Sequence, residues 1–318
     1  MMNLDKKRNI KIQIFIMAYN RVKYLKDSLD SVLSQNIEKC SVILSDNSTN
    51  NEVENFIKSN YINETNFFYK KRSPSLSSSE HYNHVLHEVS SDYFMIFHDD
   101  DIMGKNCVKK LFNHLEANPD LVACGANGIM FYDLNTKFKK RFIKSNKEIL
   151  LNNPEDIAKR YLLFGEVAPF PSYLYRKNII KNLTPGNDEG KYSDVSFIIK
   201  ISKLGKILWD PNTYIFYRKH FEQDSFITQI HHSKKLVNFI CQNTKFSKYS
   251  SEVSFFRFKM LSNKMKNIKI ISKKSTNIKR NVKILFRIFI FSPFNIFLRL
   301  IIWKIYFKLR LFKKYFFN

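Results

Sequence analysis

The run His98-Asp99-Asp100-Asp101 stands directly after the apolar stretch Tyr93-Phe94-Met95-Ile96-Phe97. Three adjacent carboxylates repel one another and resist burial, so a strand ending on them needs a compensating charge. The usual one is a divalent cation. Mg2+ or Mn2+ takes one or two carboxylates and completes its shell with phosphate oxygens. The chemistry implied is Lewis-acid neutralisation of a phosphate-bearing group. Asp also favours helix N-termini, so the run alternatively caps a helix at about 104–117. Three acids in a row exceed what a cap requires.

Other residues offer complementary chemistry. Asp194 opens a helix whose apolar side is Val195, Ile198, Ile199 and Ile201. It reads either as a cap or as a general base, which must reach the proton of a hydroxyl. Arg218 and His220 follow the strand-like Tyr214-Ile215-Phe216-Tyr217. They suit phosphate or metal binding, or an ordinary surface. Asn20-Arg21 is a turn or a ligand contact.

The elements that must position these groups alternate. Ile10 to Ala18 reads as a buried strand, and Val22, Leu25, Leu29, Val32 and Leu33 recur at helical spacing. Ser41 to Leu44 is a second strand, ending on Ser45-Asp46-Asn47-Ser48. A polar helix at 50–60, a strand at 66–69, a helix at 80–89 and the strand at 93–97 follow. Such alternation indicates an α/β fold with a mainly parallel sheet. Ligands bind beyond the carboxyl ends of such strands. Three polar clusters fall there: Tyr19-Asn20-Arg21, Asp46-Asn47-Ser48 and the acidic run. The middle, 120–230, is less regular. It holds a helix start at Asn152 to Asp156, a rigid loop at 168–172, a polar loop at 185–190, and two strands at 207–209 and 214–217. There is no P-loop, and seven glycines exclude a Gly-rich dinucleotide fingerprint.

The 318 residues allow one substantial core with an appendage. The net charge of +25 is unevenly placed: from His231 onward 21 Lys and Arg face one acid, Glu252. Cys40, Cys107, Cys124 and Cys241 are scattered and read as reduced thiols, consistent with a cytoplasmic setting. The N-terminus shows no secretory signal, its first apolar run being a strand.

Taken in order, Ala18-Tyr19-Asn20-Arg21, Ser45-Asp46-Asn47-Ser48, Asn83, the acidic run, Ser193-Asp194 and Tyr217-Arg218-Lys219-His220 resemble the family 2 glycosyltransferases of bacterial surface-polysaccharide type. The resemblance covers about residues 10–225. It implies a Rossmann-like GT-A fold: a mixed, mainly parallel sheet flanked by helices. It also implies inverting transfer of a hexosyl-type sugar from a nucleoside diphosphate donor, UDP being the commonest carrier. The acceptor implied is a glycan or polyprenyl-linked glycan of O-antigen, capsule or lipooligosaccharide synthesis. Ala18, Tyr19, Asn20 and Arg21 then lie along the nucleotide, Asp46 meets base or ribose, and Asn83 precedes the metal motif. Aligned on its last two acids, that motif places His98 where the family has Asp and counts it among the nucleotide-sugar contacts. Asp100 is then the favoured ligand for Mn2+ or Mg2+, Asp99 lies near the ribose, and Asp101 lies beside sugar or metal. A shift by one makes Asp99 and Asp101 the pair. Asp194 takes the place of the catalytic base, with Ser193 where a Glu is usual. Arg218 and His220 fall near the diphosphate, and the 168–172 loop, Ser172 included, falls with 185–191 at the acceptor.

The expected organisation is a catalytic domain at 1–230, its nucleotide half ending near 120, and a basic helical region at 231–318. In that region Lys279, Lys283 and Arg287 form a cationic ridge, with Leu285, Phe286, Ile288, Phe289, Ile290 and Phe291 on the other faces. Arg287, Pro293, Asn295 and Arg299 argue against a bilayer span at 284–303. An amphipathic segment lying on anionic headgroups fits better, putting the protein peripherally on the cytoplasmic face of the inner membrane. Packing on the catalytic core is the plainer reading. Nucleic-acid binding fits less well, because the aromatics sit in continuous apolar runs. The alternative function is an inactive GT-A scaffold that binds lipid or nucleic acid, given the departures at His98 and Ser193.

Overall fold

The structure is a computed structural model that describes residues 10–35, 37–132, 140–180, 190–220 and 230–260. Its first half is built from strands β1 (Ile12–Ala18), β2 (Cys40–Asp46), β3 (Phe67–Lys71) and β4 (Tyr93–His98). They lie in the order β3-β2-β1-β4, all parallel. Helices α1 (Leu25–Leu33), α2 (Glu52–Asn60) and α3 (Ser78–Glu88) make the crossovers. β1 is central and covered on both faces, so it is apolar almost throughout: Ile12, Ile14, Phe15, Ile16 and Ala18 are fully buried. α1 packs through Leu25, Leu29 and Val32, each contributing about 1.5–3 kcal/mol of burial. α3 begins at a capping box, in which Ser77 accepts the Glu80 N–H and Glu80 reaches back to the Ser77 N–H.

Register decides what shares the carboxyl edge. Ala18 stands opposite Asp46, and Met17 opposite His98. The three polar clusters therefore emerge side by side, as the sequence predicts.

Beyond β4 the sheet becomes mixed. β5 (Ile102–Met103), β6 (Leu121–Phe131), β9 (Tyr173–Arg176) and β10 (Lys206–Arg218) complete the order β3-β2-β1-β4-β9-β6-β10-β5. Two short strands, β7 (Lys140–Arg141) and β8 (Ile149–Leu151), pair with β6 and β10. α4 (Cys107–Ala117) packs on β6 and β10. α5 (Pro154–Phe164) starts where the Asn153 side chain accepts the Asp156 N–H, and it stops at Gly165, whose φ of 67° suits glycine. The two strands predicted at 207–209 and 214–217 are one long strand, β10, with a register break between Asp210 and Tyr214. Pro211 cannot donate to the ladder at that point, which made one bent strand look like two.

A short helix α6 (Lys177–Ile180) follows β9, and a 3-10 turn at Gly190–Tyr192 leads into α7 (Ser193–Ile201). α8 (Ile230–Asn243) packs against α7, burying Leu236, Val237 and Ile240. Compact units run Met1–Thr244 and Lys245–Asn318, so α8 belongs to the first unit, whereas the sequence places it in the basic region from 231. In the second unit, residues 251–260 are helical. The cationic ridge, the apolar runs at 284–303 and most of the 185–190 loop lie outside the described residues. Among the described residues no helix is long and apolar enough to cross a membrane.

Candidate active site

The carboxyl edge is held together by its own side chains. Asn20 adopts φ 50°, a conformation Asn tolerates well. Its N–H donates to Ser48 Oγ at 2.8 Å, and its side-chain carbonyl accepts the Thr49 N–H at 2.9 Å. The loops after β1 and β2 are thereby locked to each other. Ala18 is buried, and its carbonyl accepts the Asn47 N–H at 2.9 Å. Tyr19 is exposed, while its backbone N–H approaches Asp99 Oδ2 at 3.4 Å.

The acidic run is buried, with Asp99, Asp100 and Asp101 all 5% exposed or less. It does not cap a helix, because β5 intervenes and α4 begins only at Cys107, with Asn106 as its cap. Arg21 reaches across from the β1 loop and pairs with Asp99 and, at 3.1 Å, with Asp100 Oδ2. His220 Nε2 lies 2.9 Å from the same Asp100 oxygen and 3.3 Å from Arg21 Nη1. Arg218 is buried between rings, 4.5 Å from the Tyr24 centroid and 4.8 Å from that of Phe131. Its Nε donates to the Asp100 carbonyl at 2.8 Å, its Nη2 to Asp27 at 2.8 Å and its backbone N–H to Asp101 Oδ1 at 2.9 Å. Residues 78 to 199 positions apart in sequence thus form one cluster.

The charges within the run are pushed apart. Burial raises Asp99 to about 7 against the opposing pull of Arg21. Burial, then the charge on Asp100, drives Asp101 well above the usual carboxylate range. Burial works the same way on Asp100, but His98, Arg21 and His220 together outweigh it and hold Asp100 below its ordinary value. The negative charge therefore concentrates on Asp100.

These residues fit a divalent cation. His98, Asp100 and Asp101 each offer a donor atom, and the three atoms lie within 4.8 Å of one another. Asp101 Oδ2 is buried without a hydrogen-bond partner, a cost that a cation relieves. The resemblance places His98 among the nucleotide contacts; in the fold it groups with Asp100 and Asp101.

Asp194 lies in the first turn of α7, but Tyr192 holds the cap position, so the capping alternative is excluded. Asp194 Oδ1 accepts the neighbouring Val195 N–H at 2.8 Å. Burial pushes its pKa up to about 6, only partly offset by such backbone bonds. A carboxylate so tuned suits proton abstraction near neutral pH. One turn on, Phe197 packs 5.8 Å from Phe170, and Phe170 packs 6.3 Å from His98, so α7 is connected to the acidic run through rings. Asn83, on α3, carries a buried side-chain oxygen without a hydrogen-bond partner. α3 is clamped beside β3 by two Arg72–Glu88 hydrogen bonds of 2.6 and 2.9 Å.

Two sequence expectations change. Asp46 is fully buried; its carboxylate accepts from Ser48 N–H at 2.8 Å, Tyr69 O–H at 2.7 Å and Lys71 Nζ at 3.1 Å. With those bonds made it shapes the loop and faces inward. Ser172 is fully buried, and its hydroxyl donates to the carbonyls of Ala126 and Pro169. It fixes the 168–172 loop. Sequence reasoning missed Tyr24, Asp27, Ser28 and Phe170. Ser28 Oγ donates to the His98 carbonyl at 2.8 Å, and Tyr24 lies 5.1 Å from the His220 ring. The helical period of α1 gave a signal for its buried face, but none that Asp27 meets Arg218.

Comparison with known proteins gives a family and a fold. The family described as glycosyl transferase family 2 matches over residues 13–183. An uncharacterised glycosyltransferase of Methanocaldococcus jannaschii is 24% identical over 194 residues, 59% of this chain and 63% of that protein. The chain thus spans under two thirds of that relative. Abequosyltransferase RfbV of Salmonella typhimurium is 29% identical over 123 residues, 36% of this chain and 35% of that protein. Among solved structures, the mannosyltransferase PcManGT of Pyrobaculum calidifontis, in complex with GDP-Man and Mn2+, superposes with a TM-score of 0.53. It is 12% identical, over 86% of this chain and 78% of that one. S. aureus TarS 1-349 in complex with UDP-GlcNAc gives 0.52 at 15% identity, over 79% and 80%.

Proposed function

The chain belongs to glycosyl transferase family 2 and has the GT-A fold, and on that premise we propose that it transfers a sugar from a nucleoside diphosphate donor to a glycan hydroxyl with inversion. The observation that carries the proposal is the Arg21–Asp99–Asp100–His220 cluster at the carboxyl edge of the parallel strands. A diphosphate needs cations and hydrogen-bond donors at a strand-end crevice, and this edge supplies both.

In the proposed mechanism, Tyr19, Asn20 and Arg21 run along the nucleotide, and Asp99 faces the ribose. Asn83 offers its unpaired oxygen to the donor. Arg21, Arg218 and His220 stabilise charge on the departing diphosphate. Asp194 takes the proton of the acceptor hydroxyl as that oxygen bonds to the anomeric carbon. The bond to the diphosphate breaks on the opposite face, its electron pair leaving with the nucleotide. A Mn2+ or Mg2+ ion held by the acidic run supplies Lewis-acid neutralisation of the diphosphate when bound. UDP-sugars are the favoured donors; the solved neighbours were captured with UDP-GlcNAc and with GDP-Man. O-antigen assembly is the favoured setting, the Salmonella relative being an abequosyltransferase. The basic region from 251 is proposed to hold the enzyme peripherally on an anionic membrane surface, facing a lipid-linked acceptor.

A panel of UDP-, GDP-, dTDP- and CDP-sugars with Mn2+ or Mg2+, read by thermal shift and by donor hydrolysis, tests this. At least one donor is expected to raise Tm by several degrees at saturating concentration. No shift and no hydrolysis with any of them would refute the proposal.

A further inference from the structure

His98 occupies a position for which catalysis alone gives no clear use. Its backbone is fixed by the Ser28 hydroxyl, and its ring lies nearly parallel to Phe170, 28° between planes. Its Nδ1 stands 3.7 Å from Asp101 Oδ2, beyond hydrogen-bond distance. That oxygen is buried and has no hydrogen-bond donor of its own. An imidazole nitrogen and an unpartnered carboxylate oxygen face each other across a gap that a shared ion would fill. The other grouping of this kind among the described residues is His114, Glu148 and Asp210. There both Asp210 oxygens are bonded, to the Asn212 N–H at 2.9 Å and the Thr213 hydroxyl at 2.5 Å, so it is a satisfied ion-pair cluster.

We propose that His98 is a metal ligand together with Asp100 and Asp101, and that its nitrogen makes the site select Mn2+ over Mg2+. The proposal rests on reading the acidic run as a cation site. Mg2+ demands hard oxygen ligands and keeps its waters, whereas imidazole favours transition ions. An all-carboxylate run accepts either ion. Replacing one acid by a neutral imidazole removes a negative charge, which Mg2+ needs most, and adds a donor that Mn2+ accepts. His98 thus sets which ion the enzyme uses, while the acids set that it uses one.

The test is performed on the full-length protein with the metals alone and with added UDP. Pulsed EPR of bound Mn2+ detects a directly coordinated nitrogen. Nitrogen coupling is expected in the unchanged protein and lost in His98→Asp. Isothermal titration is expected to show Mn2+ bound about tenfold or more tightly than Mg2+. In His98→Asp that preference should shrink several-fold as Mg2+ binding improves. His98→Ala should lose Mn2+ affinity by about tenfold or more, with little change for Mg2+. Absence of nitrogen coupling in the unchanged protein overturns the proposal. So does coupling that survives His98→Asp but disappears in His220→Asn, which names His220 as the ligand. A Mn2+ preference equal in all variants overturns it too. Nitrogen-coupled Mn2+ in a protein that binds no nucleotide-sugar would sink the glycosyltransferase reading and leave this one standing.

Discussion

Replacing Asp194 by Asn should abolish sugar transfer and at the same time stabilise the fold. Asn keeps the side-chain oxygen that accepts the Val195 N–H at 2.8 Å, so the first turn of α7 is retained. What changes is the charge. Burial raises Asp194 from 3.8 to about 6 in the folded protein. The folded state therefore holds the proton more tightly than the unfolded one, and stability falls as pH rises between those values. No cost exists below about pH 4, and the full cost is present above about pH 6. Two pKa units correspond to about 3 kcal/mol. For a unit of this size each kcal/mol moves Tm by about 2–4 °C. Asp194→Asn should thus melt several degrees higher at pH 7.5, and the advantage should vanish at pH 4. Transfer by the unchanged enzyme should rise through about pH 6 as the base ionises. The assay is a pair of melting curves across pH 4–8, beside a donor-to-acceptor transfer assay. A variant that melts no higher at pH 7.5, or whose gain is the same at pH 4, refutes the argument from desolvation of this half-buried carboxylate. A variant that still transfers sugar refutes the base assignment.

Arg218→Lys should lose the fork that spans the Asp100 carbonyl and Asp27 and the stacking on Tyr24 and Phe131; a cost of about 2–3 kcal/mol should appear in denaturant unfolding, with weaker UDP binding by titration. Ser77→Ala removes the cap of α3 and should cost about 1 kcal/mol, read as a lower Tm, without changing the Mn2+ affinity. Asp100→Ala should remove the metal-dependent part of UDP binding; equal affinity with and without Mn2+ in both proteins would count against the site. Deleting residues 251–318 should abolish co-sedimentation with anionic liposomes, and retained binding would assign the membrane contact elsewhere.

The strand-end clusters were legible because a parallel α/β sheet has only one edge at which such residues gather. β1, β2 and β4 announce themselves as short apolar runs, each ending on polar residues. The second half was harder to read. β6 is almost wholly buried and lacks any alternation, so Leu121–Phe131 carries no periodic signal. β9 is only four residues long, and β10 bends at Pro211. Asp46 and Ser172 show what the sequence leaves open: a polar side chain at a strand end or loop serves either a ligand or its own backbone. Only the hydrogen-bond partners tell the two apart.

By itself the sequence determined the order of the chemistry: a nucleotide-side turn, an acidic strand end, a carboxylate at a helix start and a basic strand end. These follow from local composition and period, which a linear chain displays. The tertiary structure alone decided which carboxylate carries the charge, because burial and the reach of Arg21 and His220 depend on groups distant in sequence. It also decided that His98 faces Asp101 and that Asp46 faces inward. Burial and pairing are properties of the packed chain, and they turn residues of suitable type into a site.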